Sequence, residues 1–109
     1  MLFREMFAQA QIAAQVANVT EPRAVKVSYD VEAQVISIEL QSGATFTFPP
    51  GIAQGLADAT PEELAEVEIT PMGDALHWES LDADLSVPDL LQGRFGSRQW
   101  MAKLYQQKN

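Results

Sequence analysis

Residues 24–48 read AVKVSYDVEAQVISIELQSGATFTF, and their apolar side chains recur at every second position. Val25, Val27 and Tyr29 alternate with Lys26 and Ser28. Ile36, Ile38 and Leu40 alternate with Val35, Ser37 and Glu39, and Phe46 and Phe48 with Thr45 and Thr47. A period of two sends alternate residues to opposite faces of a pleated strand, so three half-buried strands are predicted. Asp30-Val31-Glu32-Ala33 and Ser42-Gly43 are turn sequences, and connections this short join antiparallel neighbours. The stretch therefore predicts a three-strand meander.

Downstream, Pro49-Pro50-Gly51 ends the third strand, because proline supplies no ladder donor, and a short helical segment is expected over Ile52–Ala57. Thr60-Pro61-Glu62-Glu63 carries a capping box with proline at the first helical position, which predicts a short helix. Val67 and Ile69 form a brief strand, Pro71-Met72-Gly73-Asp74 turns, and Leu76 and Trp78 continue as the second strand of a hairpin. On that strand His77 and Glu79 share the face opposite Trp78, which makes Trp78 the core residue. Ser86-Val87-Pro88-Asp89 begins another helix, with an acid near its positive end, and Gly93 ends it. Ser97 caps a last helix with Trp100, Met101 and Leu104 inward. Upstream, Phe3, Met6, Phe7, Ala10, Ala13, Ala14 and Ala17 stand at helical spacing, and Pro22 stops that amphipathic helix.

The expected class is α+β: a small antiparallel sheet built from the meander and the second hairpin, an N-terminal amphipathic helix and short C-terminal helices. The 109 residues provide for one domain, organised as an N-terminal helix (1–20), an α+β core (24–92) and a C-terminal helical extension with a basic tail (93–109). Apolar residues at 47% and charged residues at 20% place the chain among globular sequences rather than disordered ones.

The chain has no cysteine, which excludes a thiol nucleophile, a disulfide framework and thiolate metal sites. The N-terminus lacks the long uncharged apolar run of a signal peptide or membrane span, so the expectation is a soluble cytoplasmic protein with no membrane partner. The net charge of −8 repels nucleic-acid phosphates on average. Its distribution is uneven. Residues 1–57 carry five acids and three bases, residues 58–89 ten acids and no base, and residues 90–109 four bases and no acid. An acidic body thus precedes a basic tail.

Three clusters carry residue types capable of chemistry. His77, the only histidine, stands near Glu79, Asp82 and Asp84, and a carboxylate beside an imidazole orients a general base or joins it around a cation. The spacing matches no specific ligand motif, and Asp82 and Asp84 suit the turn and helix start that follow, so neither catalytic nor metal residues are assigned. Gly93-Arg94-Phe95-Gly96-Ser97-Arg98 offers backbone amides and two arginines to a phosphate, or simply connects two helices. Arg94, Arg98 and Lys103, interleaved with Phe95, Trp100 and Tyr105, have the types that neutralise phosphates and stack on bases, although helical spacing makes Trp100 a packing residue first. No phosphate loop, dinucleotide fingerprint or other cofactor motif is present, so no cofactor is expected.

The stretch Glu68-Ile69-Thr70-Pro71 with Gly73, then Leu76-His77-Trp78 and Leu81 through Leu91, resembles the bacterial family known as domain of unknown function 2442. The strands before it fit the same pattern, and Gly93 through Met101 is similar to the C-terminal extension of one branch. The resemblance implies an α+β protein with no established activity and no catalytic residues to carry over. It also implies a gene encoded beside another small protein, in the manner of toxin–antitoxin pairs.

The leading reading is a non-enzymatic protein-interaction module that meets a small basic partner through Glu62, Glu63 and Glu66, and a homodimer is also expected. The alternatives are a nucleic-acid-binding regulator using Arg94, Arg98 and Lys103, and a small metal-dependent enzyme centred on His77.

Overall fold

The computed structural model describes residues 22–108, with side chains through residue 106, so the helix expected over residues 1–20 lies outside the described residues. The meander forms as read: β1 (Ala24–Asp30), β2 (Val35–Leu40) and β3 (Thr45–Phe48) make an antiparallel sheet in the order β1-β2-β3. Val27, Ile38 and Phe46 lie in one cross-strand row, and Tyr29, Ile36 and Phe48 in another. These rows face the core, where Ile36 and Ile38 on the central strand are fully buried. Asp30 closes the first turn, its Oδ1 accepting from the amides of Glu32 and Ala33. The alternation fails at one point. The register slips between Ala24 and Lys26, so Val25 stands as a bulge residue, 57% exposed, instead of joining Val27 and Tyr29.

The second hairpin acquires a third strand. β4 (Glu68–Ile69), β5 (Ala75–Trp78) and β6 (Ala83–Ser86) form a separate antiparallel sheet in the order β4-β5-β6. The α+β class is as expected, but meander and hairpin are two sheets rather than parts of one. The Asp82–Ser86 stretch, expected as a loop before a helix, supplies β6. Its sequence Ala83-Asp84-Leu85-Ser86 alternates, with Ala83 and Leu85 buried and Asp84 exposed.

The sheets meet where the Ala24 amide donates to the Gly73 carbonyl at 2.7 Å and Arg23 Nη1 donates to the Met72 carbonyl at 3.1 Å. Between them lies a core of Ile36, Ile38 and Phe48 from the first sheet and Leu76, Trp78 and Leu85 from the second, closed by Leu56, Leu64 and Leu90 from the connecting segments.

Those segments are mostly the predicted ones. α1 (Pro61–Leu64) has its full capping box: Thr60 Oγ1 accepts from the Glu63 amide, and Glu63 Oε1 accepts from the Thr60 amide. Ser86 caps α2 (Val87–Leu91), and Gly93 follows at a φ of 84°. Ser97 Oγ accepts from the Trp100 amide at the start of α3 (Arg98–Lys108). The helix expected over 52–57 is instead a 3₁₀ turn, Pro50–Ile52, followed by irregular turns. Extended Ala53 and left-handed Gly55 interrupt a segment already too short to hold as a helix. Among the described residues no helix is long and apolar enough to cross a membrane.

Gly73 is the sharpest backbone constraint, with a φ of 75° and only 2.8 Å between a built Cβ and the Ala24 carbonyl oxygen. Gly73→Ala is expected to lower unfolding stability by about 1–3 kcal/mol, from left-handed strain plus displacement of the intersheet seam. Gly51→Ala, which meets open space at an ordinary φ, is the control and is expected to stay within about 0.5 kcal/mol. Denaturant titration of both variants checks the contrast.

Candidate functional site

Burial of Trp78 decides which way β5 faces. Its indole is fully buried and its Nε1–H donates to the Leu64 carbonyl at 3.1 Å. Alternation then turns His77 to the outer face, on the middle strand of the second sheet. Pairing sets it between Glu68 of β4 and Asp84 of β6.

The His77 ring is held at both nitrogens. Nδ1 lies 2.6 Å from Asp84 Oδ1, and Nε2 lies 2.6 Å from Glu79 Oε2. Only the doubly protonated imidazolium donates to both carboxylates at once; a neutral ring would set a lone pair against one of them. The hydrogen bond to Glu79, then the one to Asp84, raise the His77 pKa from 6.5 to about 8. His77 is therefore a cation at neutral pH, with no free lone pair for a proton or a metal. Among the described residues no group of three or more His, Cys, Asp or Glu side chains is arranged to hold a metal ion.

Of the carboxylates expected near His77, the fold brings in Glu79 and Asp84 but not Asp82. Asp82 sits at a φ of 49° in the β5–β6 turn, its amide donating to the Glu79 carbonyl. Sequence reasoning did not place Glu68 beside His77; the signal is the register of a two-residue strand, which depends on how the Pro71–Asp74 turn closes. Glu66 Oε2 accepts from Ser80 Oγ at 2.6 Å, which ties it to the same β5–β6 turn. Glu63 is committed to the capping box, while Glu62 is exposed in the first turn of α1.

A cleft of about 460 Å³ opens beside Asp84, between β6 and the loop before α3. Asp82, Asp84 and Asp89 face it together with Arg94, Ser86 and Ser97. The phosphate reading of residues 93–98 loses its donors here. The Ser97 amide donates to Gln54 Oε1, and Gly96 packs so closely on Gln54 and Trp100 that no Cβ fits. Three carboxylates against one arginine make the cleft unfavourable for an anion.

In the basic tail, Arg94 Nη1 approaches Asp89 Oδ1 only to 3.9 Å, with both groups exposed, a pairing of little energetic weight. Arg98 and Lys103 are exposed but five residues apart, about 140° around the helix axis, so they form no single stripe. Trp100 donates its Nε1–H to the Ile52 carbonyl at 2.9 Å, and Phe95 packs on Phe48 with ring centroids 5.7 Å apart. Of the three aromatics proposed for stacking, Tyr105 alone is exposed.

The sequence pattern of the family described as "Protein of unknown function (DUF2442)" matches residues 24–96, two thirds of the chain. The chain belongs to this family. A protein of unknown function from Rhodospirillum rubrum, seen by crystallography, is similar at 49% identity and a TM-score of 0.73, covering 75% of this chain and 99% of that one. An uncharacterised protein from Chromobacterium violaceum, seen by solution NMR, is similar at 34% identity and a TM-score of 0.71, covering 91% of this chain and 90% of that one. No curated protein matches the chain. The family and both relatives are described as proteins of unknown function, so the site of this DUF2442 member is read from its own geometry.

His77 is the one imidazole of the chain, so its titration is directly observable by NMR. The expected pKa is about 8, falling toward 6.5 in Asp84→Asn and in Glu79→Gln. Because the folded value is raised, its contribution to stability is complete below pH 6.5 and lost as pH rises through about 8. His77→Gln is expected to remove that component. A titration midpoint at or below 6.5 contradicts the double clamp.

Proposed function

We propose that this family member is a single-domain, non-enzymatic protein-interaction module whose partner is a small basic protein. The observation that carries the reading is the outer face of the β4–β5–β6 sheet. Glu79 and Asp84 clamp the His77 cation there, Glu68 stands across from it on β4, and Glu66 is fastened to the adjoining turn. No lysine or arginine occurs in the sequence between residues 58 and 89. Fixed carboxylates on a rigid sheet favour a partner rich in lysine or arginine, and complementary charge of this kind chiefly raises encounter rate and specificity.

The non-enzymatic part rests on His77 being clamped as a cation, which leaves no acceptor nitrogen for general-base chemistry. The partner proposed is a co-encoded protein of toxin–antitoxin type, the arrangement implied by the family resemblance.

Of the acids singled out from the sequence, Glu62 projects freely, whereas changing Glu63 or Glu66 also removes a cap or a turn contact. The test therefore uses Glu62→Lys with Glu68→Lys, and reads capture of proteins from the source bacterium at low salt, after nuclease treatment. A basic protein is expected in stoichiometric amount, its binding weakened roughly tenfold by the double reversal and by raised salt. Capture that is indifferent to both sinks the electrostatic reading. Capture of nucleic acid alone would move the function to the basic tail.

A further inference from the structure

β1 is an edge strand. The sheet order β1-β2-β3 leaves its outer side unpaired: among the described residues only Ala24 reaches across, to Gly73, and Val25–Asp30 bond to no strand other than β2. β4 packs beside this strand, but the six residues Val25–Asp30 make no ladder bond on that side, and an unpaired edge of this length is ordinarily protected or used. Two of the four large apolar side chains that stand most exposed, Val25 at 57% and Val31 at 62%, bracket this edge. Val27 and Tyr29 between them are only half-buried.

The strand is complementary to itself. A two-fold axis perpendicular to the sheet pairs two antiparallel copies so that residue numbers facing each other have a constant, even sum. With Ser28 on the axis, Lys26 faces the partner's Asp30, and Asp30 faces the partner's Lys26. On the core side, Val27 faces the partner's Tyr29, an aromatic–β-branched pair of the kind that stabilises sheets. One residue beyond, Val25 falls opposite the partner's Val31. Shifting the axis to Lys26 or to Asp30 sets like charges against each other; centring on Val27 leaves both charges without an opposite, and centring on Tyr29 sets Lys26 against the partner's Glu32 but leaves Asp30 opposite Ser28. One register satisfies the charges, the half-buried pair and the two exposed valines together.

We propose that β1 is a homodimer interface: two copies of this chain join edge to edge about Ser28 into a continuous six-stranded antiparallel sheet. The interface lies on the first sheet, whereas His77, Glu79 and Asp84 lie on the outer face of the second.

Sedimentation equilibrium of the full chain across a concentration series is expected to report a species of twice the 12.0 kDa chain mass. Lys26→Gln is expected to raise the dimer dissociation constant severalfold, roughly fivefold for the two symmetric pairs. Position is read by trapping. The native chain has no cysteine, and opposed residues in an antiparallel pair have Cα atoms about 4.5–5.5 Å apart, within disulfide reach. Ser28→Cys is therefore expected to yield a covalent dimer under mild oxidation. Thr47→Cys, on the same outer face but on β3 at the opposite edge, is expected to stay uncrosslinked. A chain that remains monomeric throughout, or a dimer that resists trapping at residue 28 and is indifferent to Lys26→Gln, overturns the proposal.

Discussion

The rest of the structure depends on the burial of Trp78. An aromatic of this size removes on the order of 200 Å² from water, about 5 kcal/mol at the usual coefficient, and its indole N–H requires an acceptor inside. That acceptor is the carbonyl of Leu64, at the last residue of α1. The helix is one turn long and has little intrinsic stability, so the reciprocal Thr60–Glu63 cap is what presents the carbonyl. Local capping chemistry and the core are thus linked through one hydrogen bond.

The same burial produces the outer face. With Trp78 and Leu76 inward, His77 must point out, where β4 and β6 bring carboxylates to it. A slip of one residue would drive a charged imidazole into the apolar core and expose the indole, so the register of β5 is strongly specified. The acidic character of this face is a consequence of core packing, and the His77 cation limits repulsion among its acids. The first sheet joins the second through β1, whose Ala24 amide bonds the Gly73 carbonyl and which packs beside β4.

The features legible in the sequence were those with local causes. The meander, the Thr60 capping box, the Ser86 and Ser97 caps and the inward Trp78 each follow from residues a few positions apart. Membership of the family was legible as well, in the run from Glu68 to Leu91. What the sequence did not reveal depends on pairing at a distance. β6 was hidden because Asp82 and Asp84 are good turn residues, and only alignment against β5 makes Asp84 a strand residue and a His77 ligand. The bulge at Val25 arises where β1 must bend to bond Gly73, forty-nine positions along the chain from Ala24. Separation of the two sheets likewise depends on how the cores meet rather than on any local signal. In the tail, residue types alone did not disclose that Trp100 and Phe95 are occupied internally.

The most direct test of the central claim is hydrogen exchange at the Trp78 indole N–H, followed by NMR across a denaturant series. If Trp78 organises the fold as described, its indole proton exchanges only through global unfolding, with a denaturant dependence equal to that of the unfolding equilibrium. Rapid exchange independent of denaturant would mean that the indole is not locked onto Leu64, and the account of the outer face would fall with it.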